Sequence, residues 1–305
     1  MTPGDTRPSE GWRMGSMLFA VALPLALGIV MFGLGLTLTT GDFARVARFP
    51  QAALIALVCQ LVVLPALCFG LVRLFGLDGA LAVGMMLLAA SPGGTSANLF
   101  SHIAGGNVAL NITLTAVNSV LAVFTLPIVV GLSYSVFLDD GAGIGLQPAK
   151  FLQVFALVLV PVVAGMTVRR LFADWALRMH TAVKVAAAVV LVLVVVAALV
   201  SEFGAFTDHV GQLGAIALLL CVCSLLIGYA VPRAFGVERA DAIAAGMEIG
   251  VHNAALAITV AVSVLGNETM AVPGAVYGFL MNIPAAVATF LFARSRRTES
   301  APVSA

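Results

Sequence analysis

Glu248 is a carboxylate set deep inside an apolar run, 239-RADAIAAGMEIGVHNAALA-257, with His252 one helical turn further on and Asn253 beside it. A charge at mid-membrane depth costs about 2.5–3.5 kcal/mol on insertion scales, so such a residue marks a functional site and calls for a partner. A second polar interruption, 91-SPGGTSAN-98, breaks another apolar run far upstream. Pro92 withdraws a backbone donor, and Gly93 and Gly94 let the chain leave helical geometry. Such unwinding is tolerated only where protein or a wet cavity satisfies the freed backbone groups. The half-helix that restarts at Thr95 aims its positive end into that cavity, where an anion is favoured.

Asn98 follows the break, and Asn111 and Thr115 stand one helical turn apart in the next apolar segment. With Glu248 they offer hard oxygen donors and one negative charge, a set that suits a small hard cation better than a soft metal. Taken singly, each polar residue reads as interhelical glue worth about 0.6 kcal/mol. Their convergence with an unpaired Glu favours a site. Gln60, deep in an earlier apolar segment, could complete a second cation position. His252 is a poor sodium ligand that could carry a proton, hydrogen-bond Glu248, or simply bond a neighbouring helix as a neutral ring. Thr95, Asn253 and Asn282 could bond the oxygens of a substrate. A hydrolase would have to pair Ser91 or Ser96 with His252 or His102, and neither serine lies in a nucleophile-elbow context.

These residues need helices to hold them. The chain is 61% hydrophobic and only 10% charged, with mean hydropathy +1.11, well above soluble domains at roughly 45–50% apolar. It reads as an all-α polytopic membrane protein. No basic run interleaved with aromatics exists, which excludes a nucleic-acid partner. Cys59, Cys68, Cys221 and Cys223 all fall in apolar segments and show no disulfide or zinc spacing. Nine spans are expected, at about 16–38, 49–74, 79–104, 107–135, 149–170, 180–201, 210–234, 240–265 and 271–293. With the N-terminus outside, eleven Lys and Arg fall on inner loops and four on outer ones, which places the C-terminus in the cytoplasm.

The span with the PGGTSAN break and the span with Glu248 cross in opposite directions, as expected of inverted repeats whose discontinuous helices meet at the bilayer midplane. The expected organisation is a tail at 1–15, a panel helix at 16–48, a first core repeat at 49–136, panel helices at 137–205, a second core repeat at 206–293 and a cytoplasmic tail at 294–305.

Across nearly its whole length the chain resembles the bile acid:sodium symporter family of secondary transporters. The resemblance is carried by 28-GIVMFGLGLTLTTGDF-43, 92-PGGTSANLFSHIAGGNVALNITLTAVNS-119, 248-EIGVHNAALA-257 and 272-VPGAVYGFLMN-282. It implies a core with two crossing broken helices, a panel that moves against it, and one or two sodium ions near the crossover. A first sodium site would use Asn98, Thr115 and Glu248, with Asn111 where relatives often have Ser and Ala97 offering only its carbonyl. A second would use Gln60, Glu248, the carbonyls of Ile249 and Val251, and His252 where relatives often have Gln. Thr95, Asn253 and Asn282 would face the substrate.

The function so implied is sodium-coupled import of a small organic anion of the bile acid, pantoate or 2-oxo acid class, across the inner (plasma) membrane of a bacterium. The competing readings are a proton-coupled carrier using Glu248 and His252, and a pore. Arsenite efflux would need a thiolate in the PGGTSAN break, which has no cysteine.

Overall fold

The computed structural model describes residues 38–138, 148–176 and 203–299, with scattered positions in 24–36 and 178–189. The expected N-terminal tail, most of the span at 180–201 and the last residues of the C-terminal tail lie outside the described residues. Among the described residues the chain is helical, and its only bridge of strand type joins Gly93 to His252. In chain order the main helices are α1 (Pro50–Leu74), α2 (Gly79–Ala89), α3 (Thr95–Ala104), α4 (Val108–Phe137), α5 (Pro148–Leu171), α6 (Phe203–Ala234), α7 (Arg239–Gly250), α8 (Ala254–Val264), α9 (Val272–Leu280) and α10 (Asn282–Glu299). By length and composition Pro50–Leu74, Gly211–Ala234 and Thr269–Ser295 can each cross a membrane. So can α4 if its two arms count as one span. This is a membrane-embedded helical protein.

The expected spans at 79–104 and 240–265 are each two half-helices. In the first, α2 ends at Ala89 and α3 starts at Thr95; in the second, α7 ends at Gly250 and α8 starts at Ala254. Residues 81–89 of α2 and 242–250 of α7 are buried on every side, so protein rather than lipid surrounds these half-helices.

The same order of local devices precedes and follows each break. Before them, α1 and α6 both end in a left-handed glycine, Gly76 (φ 64°) and Gly236 (φ 81°). There the Leu77 amide reaches back to the Val72 carbonyl and the Val237 amide to Pro232, each at 3.0 Å. This reverse turn absorbs orphan helix carbonyls and needs φ > 0, which only glycine adopts freely. After the breaks, Asn107 caps α4 by accepting the Leu110 amide at 3.1 Å, and Asn267 accepts the Met270 amide at 3.1 Å in the 3-10 turn Thr269–Ala271 that leads into α9.

The two turns are also clamped reciprocally. Gln51 at the start of α1 donates to the Phe235 carbonyl at the end of α6 (2.7 Å), and Gln212 in α6 donates to the Phe75 carbonyl at the end of α1 (2.6 Å). A net hydrogen bond is worth about 1 kcal/mol, so Gln51→Ala with Gln212→Ala should cost about 2 kcal/mol. A lower melting temperature at unchanged sodium response is the expected result.

Three irregularities escape sequence periodicity: π turns at Cys59–Val63 and Val260–Val264 and a bend in α4. Residues Cys59–Val63 of α1 widen into a π turn, with the Leu64 amide bonded to the Cys59 carbonyl. Pro65 supplies the reason, because it cannot donate to the preceding turn and its ring crowds the carbonyl of Leu61. The turn carries Gln60 to a buried position. In α4 the arms Val108–Ala122 and Phe124–Phe137 bend by 54°, at the carbonyl that Pro127 displaces.

Candidate functional site: the crossing of two broken helices

The two breaks satisfy one another. The Gly94 amide donates to the Val251 carbonyl at 2.6 Å, and the Asn253 amide donates to the Pro92 carbonyl at 2.8 Å. They run antiparallel with Gly93 opposite His252. The Ser91 carbonyl accepts Gln60 Nε2 at 2.9 Å. Backbone groups at the two breaks are thus paired with protein groups, as an apolar surround requires.

Glu248 lies against this crossing and is fully buried. Thr115 Oγ1 lies 2.6 Å from its Oε2 and Asn118 Nδ2 lies 3.2 Å from its Oε1. The Gly93 amide bonds the same carboxylate. All three donors are neutral. The approach depends on glycine, since a Cβ on Gly93 would overlap the carboxylate atoms.

On the elements that meet at this crossing, four buried amide oxygens have no hydrogen-bond partner among the described residues: Gln60 Oε1, Asn98 Oδ1, Asn111 Oδ1 and Asn118 Oδ1. Three of these side chains are pinned by their nitrogen end. Gln60 donates to Ser91, Asn111 donates to the Ala244 carbonyl at 2.7 Å, and Asn118 donates to Glu248. The amide planes are therefore fixed with the oxygens free. Leaving a buried acceptor unpaired costs about 1–3 kcal/mol, so several at one crossing call for a partner. A dehydrated hard cation is one that accepts many lone pairs at once. The residues fit a sodium ion by donor type, neutral oxygens with one carboxylate.

Thr115 bonds Glu248, Gln60 bonds the first break, Asn111 bonds the helix that carries Glu248, and Ile249, Val251 and His252 are buried; Asn98 stands one turn into α3 with its amide oxygen buried. The expected anion-binding residues are placed differently. Thr95 is exposed at the first position of α3. The Asn253 side chain caps α8 by accepting the Leu256 amide at 3.1 Å. Asn282 is exposed, and its amide donates to the Gly278 and Phe279 carbonyls of the preceding turn. The Ser91 hydroxyl donates to the Leu87 carbonyl at 3.0 Å.

Sequence reasoning missed Asn118 and Tyr277. Asn118 had a signal, because Asn111, Thr115 and Asn118 fall at i, i+4 and i+7 on one helical face. Tyr277 had none. Its hydroxyl meets His252 Nδ1 at 2.9 Å and the Gly250 carbonyl at 3.0 Å only because α9 packs against the second break.

Residues 24–209 match the family model described as the Sodium Bile acid symporter family. The chain belongs to this family. It is a family of sodium-dependent transporters rather than enzymes, which removes the hydrolase reading. Among its symporter relatives, a Bacillus subtilis protein named as an uncharacterized sodium-dependent transporter is 26% identical over 86% of this chain and 79% of its own. An Arabidopsis thaliana chloroplast protein named as a probable sodium/metabolite cotransporter is 28% identical over 89% of this chain and 66% of its own. The human sodium/bile acid cotransporter 4 is 39% identical over a shorter stretch, 34% of this chain and 24% of its own. The chain spans just under two thirds of the length of the plant relatives.

Proposed function

We propose that this symporter-family member imports a small organic anion, of the bile acid, pantoate or 2-oxo acid class, on an inward sodium gradient by alternating access. The observation that carries the reading is the set of pinned amides with free oxygens on the elements that meet at the crossing, with Glu248 buried against it. One or two sodium ions bind there, balance the carboxylate and hold the two breaks together. The anion then docks beside the N-termini of α3 and α8, where the helix dipole and bound cation both favour negative charge. Thr95, Asn253 and Asn282 are the residues proposed to meet it.

In this reading the chain has nine spans, with the N-terminus outside, in the inner membrane. The segments 49–136 and 206–293 form inverted core repeats, and the remaining spans form a panel. The matched glycine turns, caps and reciprocal Gln clamps support the repeat assignment. Cation and anion drive transport only if together they bind the occluded state more tightly than the open ones.

The test is uptake of labelled carboxylates into proteoliposomes with an imposed inward sodium gradient. Saturable accumulation of at least one carboxylate, absent when choline replaces sodium at fixed pH, is the expected result. Uptake indifferent to that exchange contradicts sodium coupling, and flux that never saturates argues for a pore.

A further inference from the structure

The helices α1 and α6 end in the same glycine turn, yet their last arginines do different things. Arg233 stands three residues before Gly236 and donates to the Val237 carbonyl at 2.6 Å. Arg73 stands three residues before Gly76 and makes no such bond. It is exposed, and among the described residues no carbonyl, hydroxyl or carboxylate pairs with it, Asp78 included. Its guanidinium lies instead over two rings, 5.7 Å from the centroid of Phe69 and 5.4 Å from that of Phe137. Cation–π contact holds the flat face of the group and leaves the N–H donors at its edge unspent.

Phe69 also lines an apolar groove of about 230 Å³. Pro65 and Phe69 line it from α1, Met86 from α2, and Leu132 and Val136 from the second arm of α4. The hydroxyl of Ser133, which also lines it, is spent on the Val129 carbonyl at 2.6 Å. Phe69, Leu132 and Val136 are large, apolar and exposed, so the groove opens outward. Pro65, Phe69 and Arg73 follow one another at intervals of one helical turn, so the groove runs along α1 toward Arg73. Arg73 is the last residue but one of a 25-residue span, the level at which a long basic side chain reaches out of the hydrocarbon.

An acyl chain matches the groove and a phosphate matches the arginine. Pockets that enclose a whole small molecule run about 300–1,000 Å³, so this groove takes a chain rather than a whole substrate. A guanidinium with free edge donors pairs with a phosphate through two parallel N–H bonds. With no carboxylate beside it, Arg73 favours a headgroup of net negative charge over a zwitterionic one, whose ammonium would bring a second cation to the same place.

We propose that the groove and Arg73 form a binding site for an anionic phospholipid, with one acyl chain lying between α1 and α4 and the phosphate on the guanidinium. The site shares no residue with the crossing and stands whether or not sodium is the coupling ion.

The test is photolabelling of the purified full chain with phosphatidylglycerol carrying a diazirine in one acyl chain, the labelled residues being located by peptide mass spectrometry. Labels should concentrate on 65–69 and 132–136. Excess unlabelled phosphatidylglycerol should remove them, and the same excess of phosphatidylcholine should not. Arg73→Gln should weaken that labelling on the order of tenfold, the loss of one charge-assisted pair. Arg48→Gln, at an exposed arginine before the opposite end of α1, should leave it unchanged. Val136→Trp, which fills the groove and keeps Arg73, should remove it. Labels spread evenly over other exposed apolar residues such as Leu226 and Phe290 overturn the proposal, as does equal competition by phosphatidylcholine. Competition by a bile acid at the same residues assigns the groove to a transported anion, and loss of a dimer in Val136→Trp assigns it to a second copy of the chain; either result also overturns it. If Arg73→Gln does not fold, the competition in wild type still decides.

Discussion

Gly93→Ala is expected to abolish most sodium binding while leaving a folded protein. The added methyl would occupy the space of the Glu248 carboxylate, which must swing away from Thr115, Asn118 and the Gly93 amide. Hydrogen bonds to a charged group are worth about 1.5–3 kcal/mol each. Losing the worth of one such bond corresponds to about a 10- to 100-fold weaker sodium affinity. Overpacking itself adds about 1–3 kcal/mol of destabilisation. Gly70→Ala is the matched control: it lies in α1, and a Cβ there meets nothing within 4 Å. That substitution should gain up to about 1 kcal/mol from helix propensity and leave sodium affinity unchanged. Sodium titration of both variants by thermal stabilisation separates the effects. A wild-type midpoint in Gly93→Ala would mean that the carboxylate is not where the cation binds.

The second large effect is expected at Gly165. The backbones of the first span and α5 touch through Gly35 and Gly165: a Cβ on Gly165 would overlap the Phe32 carbonyl, and one on Gly35 would overlap the Val162 carbonyl. Such contacts are how membrane helices associate without a hydrophobic driving force between them. Gly165→Ala should cost about 1–3 kcal/mol by overpacking. Gly165→Leu should separate the two helices and remove the monodisperse peak in size-exclusion chromatography. Unchanged elution and melting temperature for the leucine variant would show that these helices do not depend on each other.

Much of the site was legible from composition and punctuation. An acid inside an apolar run and a Pro-Gly-Gly break are rare in lipid because both are expensive, so each announced a constraint without any coordinates. Asn98, Asn111 and Thr115 are legible for the same reason; of these Thr115 bonds Glu248 and Asn111 bonds the Ala244 carbonyl on the same helix. What could not be read is how the two breaks satisfy each other. The Gly94–Val251 and Asn253–Pro92 bonds join residues far apart in the chain, and periodicity carries only local information. The π turn at Cys59–Val63 eluded the reading because a helix of uniform apolarity gives no phase by which to detect one added residue. Thr95, Asn253 and Asn282 are substrate-facing by family resemblance, with both amides expected to be buried, whereas Asn282 is exposed. Asn253 and Asn282 also serve their own helices, as a cap and as a backbone-bonded amide.

The central claim is that a sodium ion shares the Glu248 carboxylate with the free amide oxygens at the crossing. Purified protein in choline chloride would be titrated with sodium chloride at constant ionic strength while its thermal stability is followed, for wild type and for Glu248→Gln. A site of this kind stabilises the folded state by about 2.7 kcal/mol when sodium reaches 100 times its dissociation constant. Wild type should show that saturable rise, and folded Glu248→Gln should show none. An equal rise in both proteins, or none in wild type, would contradict the claim.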